Sequence, residues 1–351
     1  MKKIYLSIIG MLFISSMVMA QTTDNASDDF KPSGSPIVTI FSDFSSITSG
    51  SYTNTKGANV SSATNNTFEL SRAYFGYAYN FSPDFSAKVL FDVANSSTAT
   101  PSNFDAYIKN AYVEYHDNLF TVDFGMIGCT MFNLQESTWG KRYLYKSFQD
   151  QYSFGNSADL GVMAKVQFIP HLLSLDLSLT NGEGYKSVQL DSTFRLAVGL
   201  TVNPIKELTI RAYYDYYKRA NEPATTADQN TFNAFASYKN KDFTLAAEYD
   251  QANGFGRVIN KNTSGCSIYG TWFAAKWINV FARFDDITSN TLAGQTTEWQ
   301  STKDGQTYIA GVEFVPVKGV QIAPNFRYFN PAVKNAVAST TTVAVNVGLN
   351  F

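Results

Sequence analysis

The chain has two cysteines, two histidines and, past its first twenty residues, no long run of apolar side chains. Each scarcity removes a class of protein. Cys129 and Cys266 lie far apart and form no metal-ligand spacing, so neither a disulfide framework nor a zinc module is indicated, and two free thiols are expected. His116 and His171 both sit at turn residues, which leaves little for the acid-base and nucleophilic chemistry that usually recruits histidine. No Gly-rich phosphate loop follows a strand, and no His/Asp/Glu metal spacing occurs, so no cofactor, no metal and no enzymatic activity is expected. Lacking ~20 consecutive apolar residues, the mature chain has no candidate membrane helix. Charged residues make up only 16% of the chain with a formal net charge of -2, which excludes a strongly basic nucleic-acid binder.

What is present begins with a leader. Lys2 and Lys3 precede an apolar run from Ile4 to Val18, and Val18-Met19-Ala20 before Gln21 fits a small-residue cleavage site. Residues 1–20 therefore read as a secretory signal cut after Ala20; as a retained anchor the run falls short of the ~20 residues that span a bilayer. Residues 21–36 are polar and rich in Pro, Gly and Ser, a short periplasmic lead-in, and residues 37–351 form the one domain. That domain is 44% hydrophobic and 15% aromatic over the whole sequence, with 21 Tyr and 28 Phe, which suits a large secreted β-protein or a barrel in lipid.

From Ile37 the chain divides into short segments of period two, the side-chain repeat of a strand with one apolar and one polar face. Leu173, Leu175, Leu177 and Leu179 oppose Ser174, Asp176, Ser178 and Thr180; Ile210, Tyr214 and Tyr216 oppose Arg211 and Asp215. Connections alternate in length. Short ones lie near Ser82–Asp84, His116–Asn118, Pro170–His171, Asn203–Pro204, Asn240–Asp242, Lys276–Trp277 and Pro316–Gly319, and most carry turn residues. Long ones run about 45–66, 95–104, 129–156, 182–191, 220–229, 253–263, 287–305 and 331–340. Such alternation places short turns at one rim and long loops at the other, as in transmembrane barrels. The predicted fold is all-β: a transmembrane antiparallel β-barrel of about sixteen strands, wide enough for an aqueous lumen. Aromatics beside the short turns, among them Phe81, Phe85, Tyr115, Phe120, Phe168, Tyr238, Phe243, Trp277 and Phe314, suit the headgroup level. Pro324 lacks an amide donor and predicts a local bulge. The last strand carries Val343, Val345, Val347, Leu349 and Phe351 toward lipid, Asn346 and Asn350 toward the lumen, and should pair with both the 320–329 and the 37–44 strands. A terminal Phe351 resembles the closing-strand signal that outer-membrane assembly machinery reads.

The third long connection, from Cys129 to Asn156, has too many large apolar residues for a solvated loop, and loops of such length are usually functional. Folded into the lumen, it would present Glu136, Trp139, Lys141, Arg142, Tyr143, Lys146 and Asp150 to passing solute. An external lid or a subunit contact is the alternative. Inward positions of the strands supply a wall of both signs: Arg72, Lys88, Lys165, Arg195, Arg211, Arg283 and Arg327 against Asp92, Asp215, Glu248, Asp285 and Glu313, with Glu114, Asp123, Asp176 and Asp250 also inward. Selectivity follows rings of one charge, so a mixed wall predicts weak ionic selectivity and no dedicated phosphate site.

The strand Arg72-Ala-Tyr-Phe-Gly-Tyr, the Phe85–Asp92 strand, the 136–159 stretch with Trp139-Gly-Lys-Arg-Tyr143, and Ala323-Pro-Asn-Phe-Arg-Tyr328 resemble the phosphate-selective porin O and P type of outer-membrane porin. The resemblance implies a sixteen-stranded, trimeric barrel with an inward third loop in a Gram-negative outer membrane. The arginine run and lysine cluster of the phosphate-selective members are not evident here. The expected function is a passive porin for small hydrophilic solutes, with a phosphate, anion or oligosaccharide channel, or a surface adhesion barrel, as alternatives. Expected partners are the lipid bilayer, the assembly machinery, the solutes and two further copies of the chain, and no nucleic acid.

Overall fold

A backbone that crosses hydrocarbon must satisfy every N–H and C=O internally, which leaves only helices or a closed sheet. The computed structural model describes residues 30–53, 57–95, 103–220, 225–333 and 337–351, and the sheet in it closes. The expected leader and residues 21–29 lie outside the described residues. Sixteen strands form the barrel. They are β1 (Ser33–Ser49), β2 (Ala63–Asn80), β3 (Phe85–Asn95), β4 (Phe104–His116), β5 (Phe120–Gly128), β6 (Ala158–Ile169), β7 (Leu173–Thr180) and β8 (Arg195–Ile205). The chain continues through β9 (Leu208–Tyr217), β10 (Gln229–Lys239), β11 (Phe243–Asn253), β12 (Thr263–Ala275), β13 (Ile278–Ser289), β14 (Gly305–Val317), β15 (Val320–Pro331) and β16 (Thr340–Asn350). Each pairs antiparallel with its sequence neighbours, and β16 closes on β1 from Thr39↔Asn350 to Ser49↔Thr340.

Alternation sorts the side chains as the sequence reading expects. In β16, Val343 is 57% exposed on the outer face while Ala344 is 2% exposed inside. Rings crowd the short-turn rim: Phe85–Tyr115, Tyr238–Phe243 and Trp277–Phe314 lie 4.9, 5.7 and 5.9 Å apart between centroids.

Four details differ from expectation. β1 starts at Ser33, so the end of the expected lead-in pairs with β2, from Ser33↔Asn80 onward. The turn between β8 and β9 is not at Asn203-Pro204; β8 runs on to Ile205, and Pro204 falls in a register shift between Val202 and Ile205 that tolerates a residue without a donor. Pro324 makes no bulge. Its register is continuous with β16, while pairing with β14 lapses between Gly311↔Asn325 and Phe314↔Ile322 and resumes unshifted, so the missing amide falls on the β14 side. Bulges occur elsewhere: β2 carries an extra residue, Ser71, where Phe41 pairs Arg72 and Ser42 pairs Leu70. β4 carries an extra Lys109, where Leu90 pairs Asn110 and Phe91 pairs Ile108.

Phe351 extends the seam beyond β16, exchanging backbone hydrogen bonds with Val38 at 2.9 and 3.0 Å while its ring stays exposed. Phe351→Ala keeps those bonds and removes only the ring. We expect the yield of heat-modifiable barrel in cells to fall several-fold for this variant, with refolding into detergent unaffected. Normal assembly in cells would remove the signal reading of this residue.

Candidate solute passage

Sixteen strands enclose more space than their own inward side chains fill, and the third long loop occupies the difference. It contains α1 (Thr130–Trp139) and α2 (Phe148–Tyr152). Gly140 ends α1 in the left-handed conformation (φ 63°) and its N–H donates to the Glu136 carbonyl, which turns the chain back along the wall. Both helices are anchored by apolar packing. Trp139, 1% exposed, meets Tyr269 and Phe281 edge-on at 5.3 and 6.1 Å, and Tyr143 and Leu144 pack with it against Phe41, Tyr74 and Ile309. Met131, Phe132, Phe148, Tyr152 and Phe154 form a second cluster with Ala197, Tyr213 and Ile287.

Polar contacts fix the same face. Lys141 Nζ donates to Thr271 Oγ1 at 3.0 Å and lies 3.8 Å from Glu313, while Tyr143 donates its hydroxyl to Glu313 at 2.9 Å. Burial pulls the Lys141 ammonium below its ordinary range, and Glu313 offsets only part of this. Gln135 donates to Asn233 at 2.8 Å, Gln149 to Glu248, and Arg283 to the Lys146 carbonyl at 2.8 Å. Trp139, Lys141 and Tyr143 therefore do not face passing solute. They are the loop's attachment to the wall, buried because the lumen there is apolar as well as charged.

The other four expected loop residues group on the free face. Arg142 sits between Glu136 and Asp150, donating to each at 2.7 Å, and Lys146 lies 3.8 Å from Asp150. Burial raises the Asp150 carboxyl, but Arg142 and Lys146 outweigh it and hold the group below the ordinary carboxylate range.

The wall charges turn inward and most are matched. Arg72 pairs with Asp92, Arg211 with Asp176 in a two-bond fork at 2.5 and 2.9 Å, Arg283 with Asp285 at 2.7 and 2.8 Å, and Arg195 with Asp215 at 3.7 Å. Arg327 reaches Asn325 at 3.1 Å and the Leu144 carbonyl at 3.4 Å. Lys165 is exposed directly opposite Asp176, and Lys88, half-buried, lies opposite Tyr112. Sequence reasoning missed Lys109. The β4 bulge turns it inward, where it donates to the Tyr74 hydroxyl at 3.1 Å and stands 4.5 Å over that ring. The signal was the slip of hydrophobic parity between Ile108 and Val113, since a bulge flips alternation.

Open space follows the free face. A cavity of about 480 Å³ on the long-loop side and one of about 280 Å³ beside β1 and β15 share Arg72, Arg142 and Lys146 in their linings. A third, of about 570 Å³, lies under Leu134 and Thr138 toward the short-turn rim. The first two cavities thus meet at a group made of one strand residue and two loop residues. His116 ends β4 beside Glu114 at 3.3 Å, and His171 occupies the turn after β6, both at the rim away from this group.

The fold is that of the outer-membrane porins, a closed, sixteen-stranded antiparallel barrel. OmpF of Salmonella typhi, solved with daunomycin, superposes with a TM-score of 0.66 at 12% identity, over 91% of this chain and 97% of that one. The outer-membrane channel DcaP of Acinetobacter baumannii gives 0.63 at 13% identity over 91% and 97%. The trimer form of OmpT of Vibrio cholerae gives 0.56 at 12% over 91% and 100%. No protein-family model and no curated protein matches the chain. At such identities the likeness is one of fold.

Two outcomes test the anchoring. Trp139→Ala removes a fully buried indole and should cost about 3 kcal/mol or more of barrel stability in detergent unfolding, with noisier single-channel current. Because the Asp150 carboxyl titrates below its unfolded value, its contribution is complete at neutral pH and is lost as pH falls below about 4. Current noise should be the same at pH 7 and 5 and rise near pH 3, and Asp150→Asn should reproduce that noise at pH 7.

Proposed function

We propose that the chain is a passive diffusion channel for small hydrophilic solutes in the outer membrane of a Gram-negative bacterium, with the third loop setting its narrowest point. The observation that carries this reading is the charged space left beside that loop, in two cavities, one against β1, β2 and β15 and one against the β7–β8 loop, meeting at Arg72, Arg142 and Lys146. The apolar outer face, with Phe75 64% and Phe124 71% exposed, suits lipid.

Selectivity among ions is weak in this reading. The guanidiniums at the passage are already matched by Asp92, Glu136 and Asp150, so the wall offers solute a transverse field of both signs. Kinship with the phosphate-selective porin O and P type rests on the motifs around Arg72 and Trp139, and pairing of this kind speaks against a dedicated phosphate site within such kinship. The homotrimer is likewise proposed. It is supported by that resemblance and by the trimer form of the Vibrio cholerae protein.

A planar-bilayer recording tests the function. We expect ohmic channels with a reversal potential of only a few millivolts in a tenfold KCl gradient, against about 59 mV for an ideally selective pore. A strong anion preference would overturn weak selectivity. Deletion of residues 134–149 should raise conductance markedly, since it removes the free face together with its anchor.

A further inference from the structure

The segment between α1 and α2 carries Arg142 and Lys146, and its carbonyl groups are taken one after another by side chains. Leu144 O accepts from Arg327 at 3.4 Å, Tyr145 O from the Trp139 indole N–H at 2.7 Å, and Lys146 O from Arg283 at 2.8 Å. The Leu144 and Tyr145 N–H groups both donate to the Lys141 carbonyl, at 2.9 and 3.0 Å. A solvated connection would leave such groups to water. Here three consecutive carbonyls have protein donors.

The two arginines come from one row of the wall. Arg283 on β13 and Arg327 on β15 both pair in register with Ile309 on β14, so two strand spacings, about 9.6 Å, separate them. That gap takes one ring. Tyr145 fills it, its centroid 5.4 Å from the Arg283 guanidinium and 5.8 Å from that of Arg327. Arg283 uses every nitrogen: Nε and one terminal nitrogen fork Asp285 at 2.7 and 2.8 Å, and the other terminal nitrogen reaches the loop. Its side chain is fully buried, so no solute meets it. Arg327 follows the same plan, with Asn325 at 3.1 Å in place of the carboxylate. A planar fork can hold a wall residue and a loop carbonyl together, whereas a lysine ammonium would keep the charge without the fixed geometry.

We infer that Arg283 and Arg327 are positioning residues for the passage: by clamping residues 144–146 they hold Arg142, just before the clamp, and Lys146, at its end, on the loop's free face. The inference rests on the channel reading and adds to it the wall residues that act on solute through the loop. Lys146 is the reporter. Its carbonyl is the one Arg283 holds, while its side chain, 42% exposed, lines both cavities that meet there.

The test compares chloride-to-potassium permeability ratios of the whole chain in planar bilayers. Lys146→Met in the otherwise unaltered chain should lower the ratio, since it removes a positive charge from the passage. In an Arg283→Lys background the same change should have about half its effect or less, the coupling that a double-mutant cycle measures. Arg211→Lys is the control for a weakened buried fork: Arg211 forks Asp176 and bonds the loop at the Thr130 carbonyl, at 3.2 Å, away from the clamp. There the Lys146→Met effect should be kept in full. A full effect in Arg283→Lys would make that arginine merely structural, overturning the inference and leaving the channel reading standing. If Arg283→Lys yields no channels, the same comparison in Arg327→Lys decides, a reduced effect supporting the clamp and a full one overturning it. Lys146→Met without effect in the unaltered chain, or no channel at all, would overturn both readings.

Discussion

Closure of the sheet governs everything else in this protein. In hydrocarbon a strand without two partners exposes a row of unpaired donors and acceptors, each worth several kcal/mol, so β16 must find β1. The pairing from Thr39↔Asn350 to Ser49↔Thr340, extended by the Val38–Phe351 exchange, is therefore a condition for all the other strands. Closure also fixes which parity faces in. Once β16 meets β1 in this register, Asn346 and Ala344 point to the lumen and Val343 and Val345 to lipid, and a slip of one residue would reverse the assignment.

A barrel of this girth has an interior that its wall cannot fill, and the third loop resolves that. Its helices bring Trp139, Leu144, Phe148 and Phe154 into clusters with wall residues, so the lumen beside the loop is packed like a soluble core. Burial of the loop imposes a second requirement on the charges behind it. Buried ions are tolerated only when paired and hydrogen-bonded, and Arg211–Asp176 and Arg283–Asp285 meet that need by two-bond forks. Charges that read in sequence as channel lining are, on β8–β15, largely the polar mortar of the anchored side.

Strands, turn order and the inward loop were legible because a period of two and a change in connection length are local signals that survive without tertiary information. What was not legible depends on pairing. An extra residue at Ser71 or Lys109 reads as noise in the alternation until the partner strand shows that it is skipped. Pro204 and Pro324 show the same limit in opposite directions. One sits in a shift where none was expected, and the other keeps register because its missing donor faces a lapse in the β14 ladder. Within the third loop the residue types pointed to the right segment, but sequence has no period there to tell a buried face from a free one. Trp139, Lys141 and Tyr143 were therefore grouped with Arg142, Lys146 and Asp150, though after Gly140 successive side chains turn opposite ways, Lys141 and Tyr143 to the wall and Arg142 to Glu136 and Asp150.

Residual charge after pairing, rather than total charge, is what a solute meets. Several guanidiniums around the passage suggest an anion filter when counted alone, yet each has a carboxylate within reach and so presents a dipole. Dipoles fixed on opposite walls orient a polar solute without excluding either ion, and this is how a neutral passage can still discriminate. Lys109, turned inward by its bulge onto Tyr74, and Lys186, held over Tyr107, are ammonium groups resting on ring faces. A ring attracts a cation without neutralising its charge, so neither ammonium is cancelled there as the guanidiniums are.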